Sequence, residues 1–385
     1  MKILFATPHL FPDVVGGSGL HSFHLIRHLA AAGHTLDVLH PYETVHFAQF
    51  PQIREYTVPF GRTVMDFAGH VNRWVGSRQY DLGYSDGLSL ARYVQRKSCP
   101  VVVNDHGLLQ FQPQYFGDYL RAAPRPALKD LLFYWPRIRA RTRLARRADY
   151  VVSMGGKMDA LVEERLGVPA PRILHLPNAV AGVAAEPTRT GSGDPRLFLF
   201  VGKIEFRKGM TQLLQAFRAL QDGGIRLRLV GDGPMASEIR RSRLSNIELV
   251  GQKFGAALRQ EYQAAGAFLY PSLQEGMPTA IMEAMSHGRP VIATDVGATR
   301  LLVTPATGLL LAPHDSQAIV QAVKQMTTWD DAARRAMGQA GRQLIQTRYT
   351  WDRVAPRYIH SFVRAVDRAA PSTGPARPVP NGAGF

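Results

Sequence analysis

A chain of 385 residues, 45% of them hydrophobic, is long enough for two domains, each with a full core. Its formal net charge of +16 favours anionic partners such as nucleotides, nucleic acid or an acidic membrane surface, although a solvated basic face explains the charge equally well. The single cysteine, Cys99, excludes an internal disulfide, and no apolar stretch is long enough to span a bilayer. The apolar run from Met1 to Phe11 lacks a signal-peptide cleavage pattern, so a soluble cytoplasmic protein is expected.

Lys2 to Thr7 is a continuous apolar run of the kind buried in parallel sheets. A loop carrying Gly16-Gly17-Ser18-Gly19 follows, then Leu20, Phe23, Leu25, Ile26 and Leu29 at helical spacing up to Gly33, then a strand over Leu36 to Leu39. Glycines at the first turn of such a β-α-β unit let a phosphate approach backbone N–H groups at a helix N-terminus. Gly17 to Ser22 only approximates the dinucleotide glycine pattern, because Ser22 stands in the place of the third glycine. Strands follow over Leu82 to Ser85 and Val101 to Asn104. His106 stands just past the second, where a structural and a catalytic histidine are equally expected.

Arg121 to Arg147 is the most basic stretch, with Leu128, Leu131, Leu132, Phe133, Tyr134 and Trp135 among its cations and Asp130 as its one acid. It reads either as a surface for anionic lipid headgroups, with peripheral attachment to the inner face of the membrane, or as a helix with one apolar face in the core and a solvated basic face. Strands at Ala148 to Ser153 and Ile173 to Pro177 flank a helix through Met158, Leu161, Val162 and Leu166. Ala181 to Pro195, rich in Gly, Pro, Thr and Ser, is the best linker in the chain.

A second β-α series begins with a strand over Leu197 to Val201, ending at Gly202-Lys203, and a helix opened by Lys208-Gly209. Strands at Leu227 to Val230 and Ile247 to Val250, the latter ending at Gly251, lead through a helix over Ala256 to Ala265 into the stretch that organises this half. There the apolar run Ala267 to Tyr270 gives way to a turn marked by Gly276 and Pro278, and Thr279 is read as the cap of a helix from Ala280 to about His287. Glu275 on the loop and Glu283 one turn into the helix can both face the crevice at the carboxyl end of a parallel sheet. Strands over Pro290 to Asp295 and Gly308 to Leu311 complete the sheet, Ser316 to Met326 is helical, Trp351 to Val366 is a terminal helix, and Ala370 to Phe385 reads as disordered.

These pieces together resemble the retaining glycosyltransferases of family four, which have the GT-B fold: α/β, with two doubly wound Rossmann-like domains facing each other across a crevice. The resemblance rests on Gly16-Gly17, Ala148-Asp149, Pro177-Asn178, Val201-Gly202-Lys203, Lys208-Gly209, Val230 to Pro234 and Val250-Gly251. Its most specific piece is Glu275-x7-Glu283 with Gly288-x-Pro290-Val291. It implies transfer of a sugar from a nucleotide diphosphate-sugar donor to a glycan, glycolipid or small-molecule acceptor, with configuration retained and without a metal. It further implies that Glu283 holds the ribose, that Glu275 and His106 lie near the donor sugar, and that Lys203 and Lys208 grip the diphosphate. Gly16, Gly17, Gly202, Gly251, Gly276, Met277, Pro278 and Thr279 would then line the donor site. Lys203 stands where the family usually has Arg, and Pro278 lacks an N–H that a phosphate could use.

The implied domains are 1–185 on the acceptor side, 186–350 on the donor side, a helix over 351–369 packing back on the first domain, and a tail over 370–385. Competing readings are a sugar-nucleotide epimerase or phosphorylase on the same scaffold, a non-catalytic nucleotide- or nucleic-acid-binding protein, and a Rossmann oxidoreductase. The absence of a recognisable nucleic-acid module argues against a nucleic-acid partner.

Overall fold

The structure, a computed structural model, describes residues 1–13, 16–106, 120, 124–182 and 193–369. The expected disorder of 370–385 and most of the expected linker lie outside the described residues. So does the start of the basic stretch, 121–123.

The first sheet contains β1 (Lys2–Ala6), β2 (Thr35–His40), β3 (Ile53–Thr57), β4 (Leu82–Asp86), β5 (Val101–Asn104), β6 (Tyr150–Ser153) and β7 (Ile173–His175), in the order β3-β2-β1-β4-β5-β6-β7. All its pairings are parallel. Helices α1 (Gly17–Ala31), α2 (Val64–Val75), α3 (Pro124–Arg147) and α4 (Lys157–Ala160) connect it. A parallel sheet needs cover on both faces, and most of its buried side chains fall into two clusters, with a small third around Val151, Val162 and Ile173. One, around Phe5, Leu25 and Tyr84, includes α1; the other, around Leu4, Phe67 and Val101, includes α2.

The second sheet has the order β10-β9-β8-β11-β12-β13, again all parallel. Its strands are β8 (Asp194–Val201), β9 (Arg226–Val230), β10 (Ile247–Gly251), β11 (Ala265–Tyr270), β12 (Val291–Thr294) and β13 (Gly308–Leu311). Helices α5 (Met210–Arg218), α6 (Ala236–Ser242), α7 (Gly255–Ala264), α8 (Thr279–Ser286), α9 (Ser316–Thr328) and α10 (Asp331–Arg348) belong to this half. Every residue of β11 is buried, as a central strand between two helical layers requires.

The last helix, α11 (Trp351–Ala369), crosses back to the first sheet. Trp351, Val354, Ala355, Tyr358, Phe362 and Ala365 are buried at helical spacing and share a cluster with Ile3, Phe5 and Tyr84. Burying side chains of this size contributes about 1.5–3 kcal/mol each. The crossing is fixed where Val180 N–H donates to Tyr349 O (3.0 Å) and Trp351 N–H donates to Val180 O (3.0 Å).

The two sheets face each other with their carboxyl ends. Asn178 Nδ2 donates to Met277 O (3.0 Å), Lys157 N–H donates to Gly297 O (3.0 Å), and Lys157 Nζ meets Asp295 Oδ2 at 2.9 Å. Each sheet reverses its strand order once, at β1/β4 and at β8/β11. Open α/β sheets bind their ligands at such reversals.

Candidate active site

Two helix N-termini meet between the sheets. A Cβ added to Gly17, the first residue of α1, would lie 3.3 Å from Thr279 Oγ1, at the first turn of α8. Neither helix has a side-chain cap, and neither carries an acid in its first turn. Their leading N–H groups therefore have no intrahelical partner, and both positive dipole ends point at the same place. One sequence expectation needs correcting here. Pro278 occupies the N-cap position (φ −74°, ψ 114°) and Thr279 is the first helical residue, so Thr279 is not the cap. From that position its hydroxyl makes no capping hydrogen bond and is left facing Gly17. Gly16 ends the preceding loop and has open space beside it, and its carbonyl accepts from Leu20 N–H (3.1 Å).

At the β8/β11 reversal, Lys208 Nζ donates to Glu275 Oε1 at 2.5 Å, and Ser272 Oγ donates to the same oxygen at 2.7 Å. This pairing depends on close backbone contact. Gly209 has φ +77°, and a Cβ there would lie 2.0 Å from Pro271 O, so only glycine lets the Lys208 turn reach the Pro271-Ser272 loop. Burial pushes the Lys208 ammonium towards neutrality, but the charge of Glu275 and the adjacent Tyr270 outweigh it and hold it well above the usual lysine range. Lys203, which the sequence paired with Lys208, has a different partner: its Nζ lies 3.3 Å from Glu205 Oε2, and its side chain is 60% exposed. Gly202 and Gly251 both have positive φ, 151° and 76°. Each ends its strand beside Gly231, whose absent Cβ would lie 1.9 Å from Gly202 O and whose N–H donates to Gly251 O (2.8 Å).

Met277 and Pro278 are buried, the former tied to the first sheet through its carbonyl and Asn178. Glu283 is a carboxylate with little water around it. Its Oε2 accepts from Tyr262 Oη at 3.1 Å, and burial raises its pKa despite that hydrogen bond. A half-buried carboxylate with so few partners is costly in the empty protein and suited to accepting further hydroxyl hydrogens.

His106 faces this loop from the β5 end. A Cβ added to Gly276 would come within 2.9 Å of His106 O, so glycine is needed for the two loops to touch. His106 itself has φ +24°, a conformation uncommon for a residue with a side chain. Its Nε2 lies 3.2 Å from Asp86 Oδ1. The sequence reading missed Asp86, although it is the residue that follows the Leu82 to Ser85 run, at the β1/β4 reversal. It also accepts from Thr7 Oγ1 (2.6 Å) and Ser22 Oγ (3.3 Å). Burial works to raise its pKa, but His106 and these hydrogen bonds outweigh it and hold the carboxyl below the usual range. Also missed was His21, whose Nδ1 lies 2.7 Å from Asn178 Oδ1 and whose ring packs edge-on to His106. Burial, aided by His106, lowers its pKa to about 3, so it is a neutral ring.

One group among the described residues has the composition of a metal site: His40, His46 and Glu55. Its hydrogen bonds close on themselves. Glu55 accepts from the backbone N–H of His46 and Phe47 (both 2.9 Å) and lies 3.2 and 3.0 Å from the two rings, and His46 Nε2 faces Asp13. Burial would raise Glu55, but the His40 and backbone hydrogen bonds win and bring it down to about 2. The group braces the β2–β3 loop against the β1–α1 loop.

Two facing Rossmann-like sheets, each with its strand reversal opening on the crevice between them, define the GT-B architecture. The comparisons specify it further. Residues 15–181 match the family model "Glycosyltransferase Family 4" and residues 195–328 match "Glycosyl transferases group 1", between them more than half of the chain. The chain is 26% identical to a glycogen synthase of Mycobacterium tuberculosis over 401 residues, covering 92% of each. In fold it is similar to a sucrose-phosphate synthase from Thermosynechococcus elongatus (TM-score 0.78, 22% identity, 96% of this chain and 100% of that one). It is also similar in fold to Anabaena HepE in complex with UDP-glucose (TM-score 0.70, 17% identity, 94% and 100%). The chain belongs to glycosyltransferase family 4, and it moves a sugar from a nucleotide diphosphate-sugar donor to an acceptor.

Proposed function

We propose that the transfer retains the anomeric configuration and needs no metal, with residues 186–350 holding the donor and residues 1–185 presenting the acceptor. The observation that carries this reading is the convergence of the α1 and α8 N-termini, Gly17 against Thr279. Their N–H groups and Lys208 supply the positive field that a departing diphosphate needs, in a site with little competing water. Glu283 accepts the ribose hydroxyls. Glu275 and His106 border the sugar from opposite domains, with Gly276, Met277 and Pro278 shaping the loop between them. Lys203, at the rim, contributes field rather than a fixed contact.

In the retaining step the bond from C1 to the phosphate oxygen breaks, and the acceptor oxygen bonds to C1 on the same face. The acceptor proton passes to the departing phosphate oxygen, so the step needs no protein base. The likeness in fold to HepE in complex with UDP-glucose makes UDP-glucose the first donor to try. The test is a donor panel with the product's anomeric configuration read by NMR and with excess chelator present. Inversion, or loss of transfer in chelator with recovery on adding magnesium, rejects this reading.

A membrane surface is the acceptor-side partner we infer. No helix among the described residues is long and apolar enough to cross a membrane. Leu128, Leu132 and Trp135 nevertheless lie on one face of α3 and are 53%, 66% and 63% exposed. Exposed Arg139, Arg143 and Arg146 continue that face at helical spacing. Flotation with phosphatidylglycerol but not phosphatidylcholine vesicles, lost in Leu132→Ser/Trp135→Ser, is expected. Equal behaviour with both vesicles favours a merely solvated face.

A further inference from the structure

At the other edge of the first sheet, where β5, β6 and β7 begin, a groove of about 540 Å³ opens among Lys97, Arg146, Arg147, Asp149, Arg172 and Arg368. The four residues of β5 separate it from the crevice, roughly 13 Å at the usual strand rise. Five cations against one carboxylate leave a formal excess of four positive charges.

Part of that excess has a structural use. α3 ends at Arg147, so a negative helix end, equivalent to about half a charge, faces the groove. It offsets about half a positive charge of the four. Arg172 is committed to the end of α3. It donates to the carbonyls of Ala145 and Arg146 (both 3.0 Å), of Ala148, and of Asp149 (3.2 Å). Arg146 Nε donates to Leu166 O (3.1 Å). The one acid is also taken, because Asp149 Oδ2 accepts from Lys97 Nζ (2.6 Å) and from Val101 N–H (2.8 Å). Arg147 and Arg368 remain at the rim, both exposed, with no acidic partner among the described residues. Residues 370–385 contain no Asp or Glu, so their side chains cannot neutralise the groove.

We propose that this groove is a second binding site, for a phosphate-bearing polyanion. More than three positive charges stay uncompensated, which suits a ligand with two or more phosphate charges better than a single carboxylate. Exposed guanidinium groups at the rim can close on phosphate in a bidentate way, while Lys97 and Arg172, held by their hydrogen bonds, form the floor. The site is independent of the donor assignment, since none of its residues reaches the crevice, and it does not require α3 to touch a membrane.

Calorimetric titration of inorganic tripolyphosphate into the full chain tests it, with Arg147→Ala/Arg368→Ala and Lys208→Ala as variants. The Lys208→Ala protein should keep a tripolyphosphate site. The groove variant should lose that site or bind roughly tenfold or more weakly, with transfer activity to a soluble acceptor unchanged. Added salt should weaken the wild-type site. If the groove variant binds as wild type, or if Lys208→Ala abolishes all binding, the proposal is overturned. Should the double variant melt early, Arg368→Glu on the exposed last turn of α11 gives the same readout. Flotation separates the two sources of phosphate. Loss of phosphatidylglycerol binding in the groove variant assigns the ligand to a lipid headgroup, and unchanged flotation with lost tripolyphosphate binding assigns it to a soluble polyanion.

Discussion

The two strand reversals each set a carboxylate against a nitrogen group, His106 in one and Lys208 in the other, but the pairs are built for different work. At β1/β4 the acid ends a strand and is almost sealed: Asp86 and His106 side chains are 3% and 11% exposed. Thr7, Ser22 and His106 between them engage both carboxylate oxygens. At β8/β11 the partners sit on a turn and a loop, and Lys208 and Glu275 are 20% and 10% exposed. The sealed pair fixes where His106 stands. The open pair has its cation within reach of a ligand, so a diphosphate can draw Lys208 away from Glu275 or share it. A carboxylate–nitrogen pair at a strand reversal thus fixes a side chain in one half and leaves a cation open to a ligand in the other, and the exposure of the nitrogen group decides which.

The largest effect should follow breaking the open pair. Lys208→Ala removes the cation proposed to grip the departing diphosphate and strands Glu275, so kcat/KM should fall about a hundredfold. A fall of less than threefold in steady-state assays would place the diphosphate elsewhere. Breaking the sealed pair should cost less in rate and more in stability. Asp86→Asn should lower kcat roughly tenfold and destabilise the fold by about 1–3 kcal/mol. The sign of the pH dependence follows from the lowered pKa of Asp86. Its stabilising contribution is fully present above the ordinary carboxylate range and is lost as pH falls through the lower folded value. The gap in Tm between wild type and Asp86→Asn should therefore narrow below about pH 4. A gap independent of pH would show that charge is not what Asp86 contributes.

Glu283 sharpens the contrast, since its burial raises its pKa rather than lowering it. A raised carboxyl weakens the fold while it is ionised, and that cost is relieved as pH falls through the folded pKa. Glu283→Gln should then raise the Tm of the nucleotide-free protein at neutral pH, by on the order of a degree or two. A lower Tm would mean that the carboxylate braces α8.

Much of this layout was legible in the sequence, because the strands central to each sheet are continuous apolar runs and the loops after them carry Gly and charge. β5 and β13 match the runs read from sequence to the residue. The edge strand β3 was passed over for a physical reason: Ile53–Thr57 is at best half-buried, so it needs no apolar run. α2 was legible through the Thr63–Asp66 capping box and the buried Phe67, Ala68, Val71 and Val75, and was simply not read. α10 buries Gly338 against the Gly288 backbone and Gly341 against the Met285 side chain, a kind of packing that hydrophobic periodicity does not register. Asp86 was overlooked because a polar residue ending a strand looks like a turn, and only the strand order reveals that it stands at a reversal.

In the proposed complex the nucleotide lies against α8 with its ribose on Glu283 and its phosphates at the paired helix N-termini. Calorimetric titration of UDP into wild type, Glu283→Ala and Glu275→Ala, each first shown to be folded, is the sharpest check. Glu283→Ala should weaken UDP binding about tenfold or more, while Glu275→Ala should leave it nearly intact and lower kcat instead. Measurable wild-type binding that Glu283→Ala leaves unchanged would contradict the orientation of the donor in the crevice.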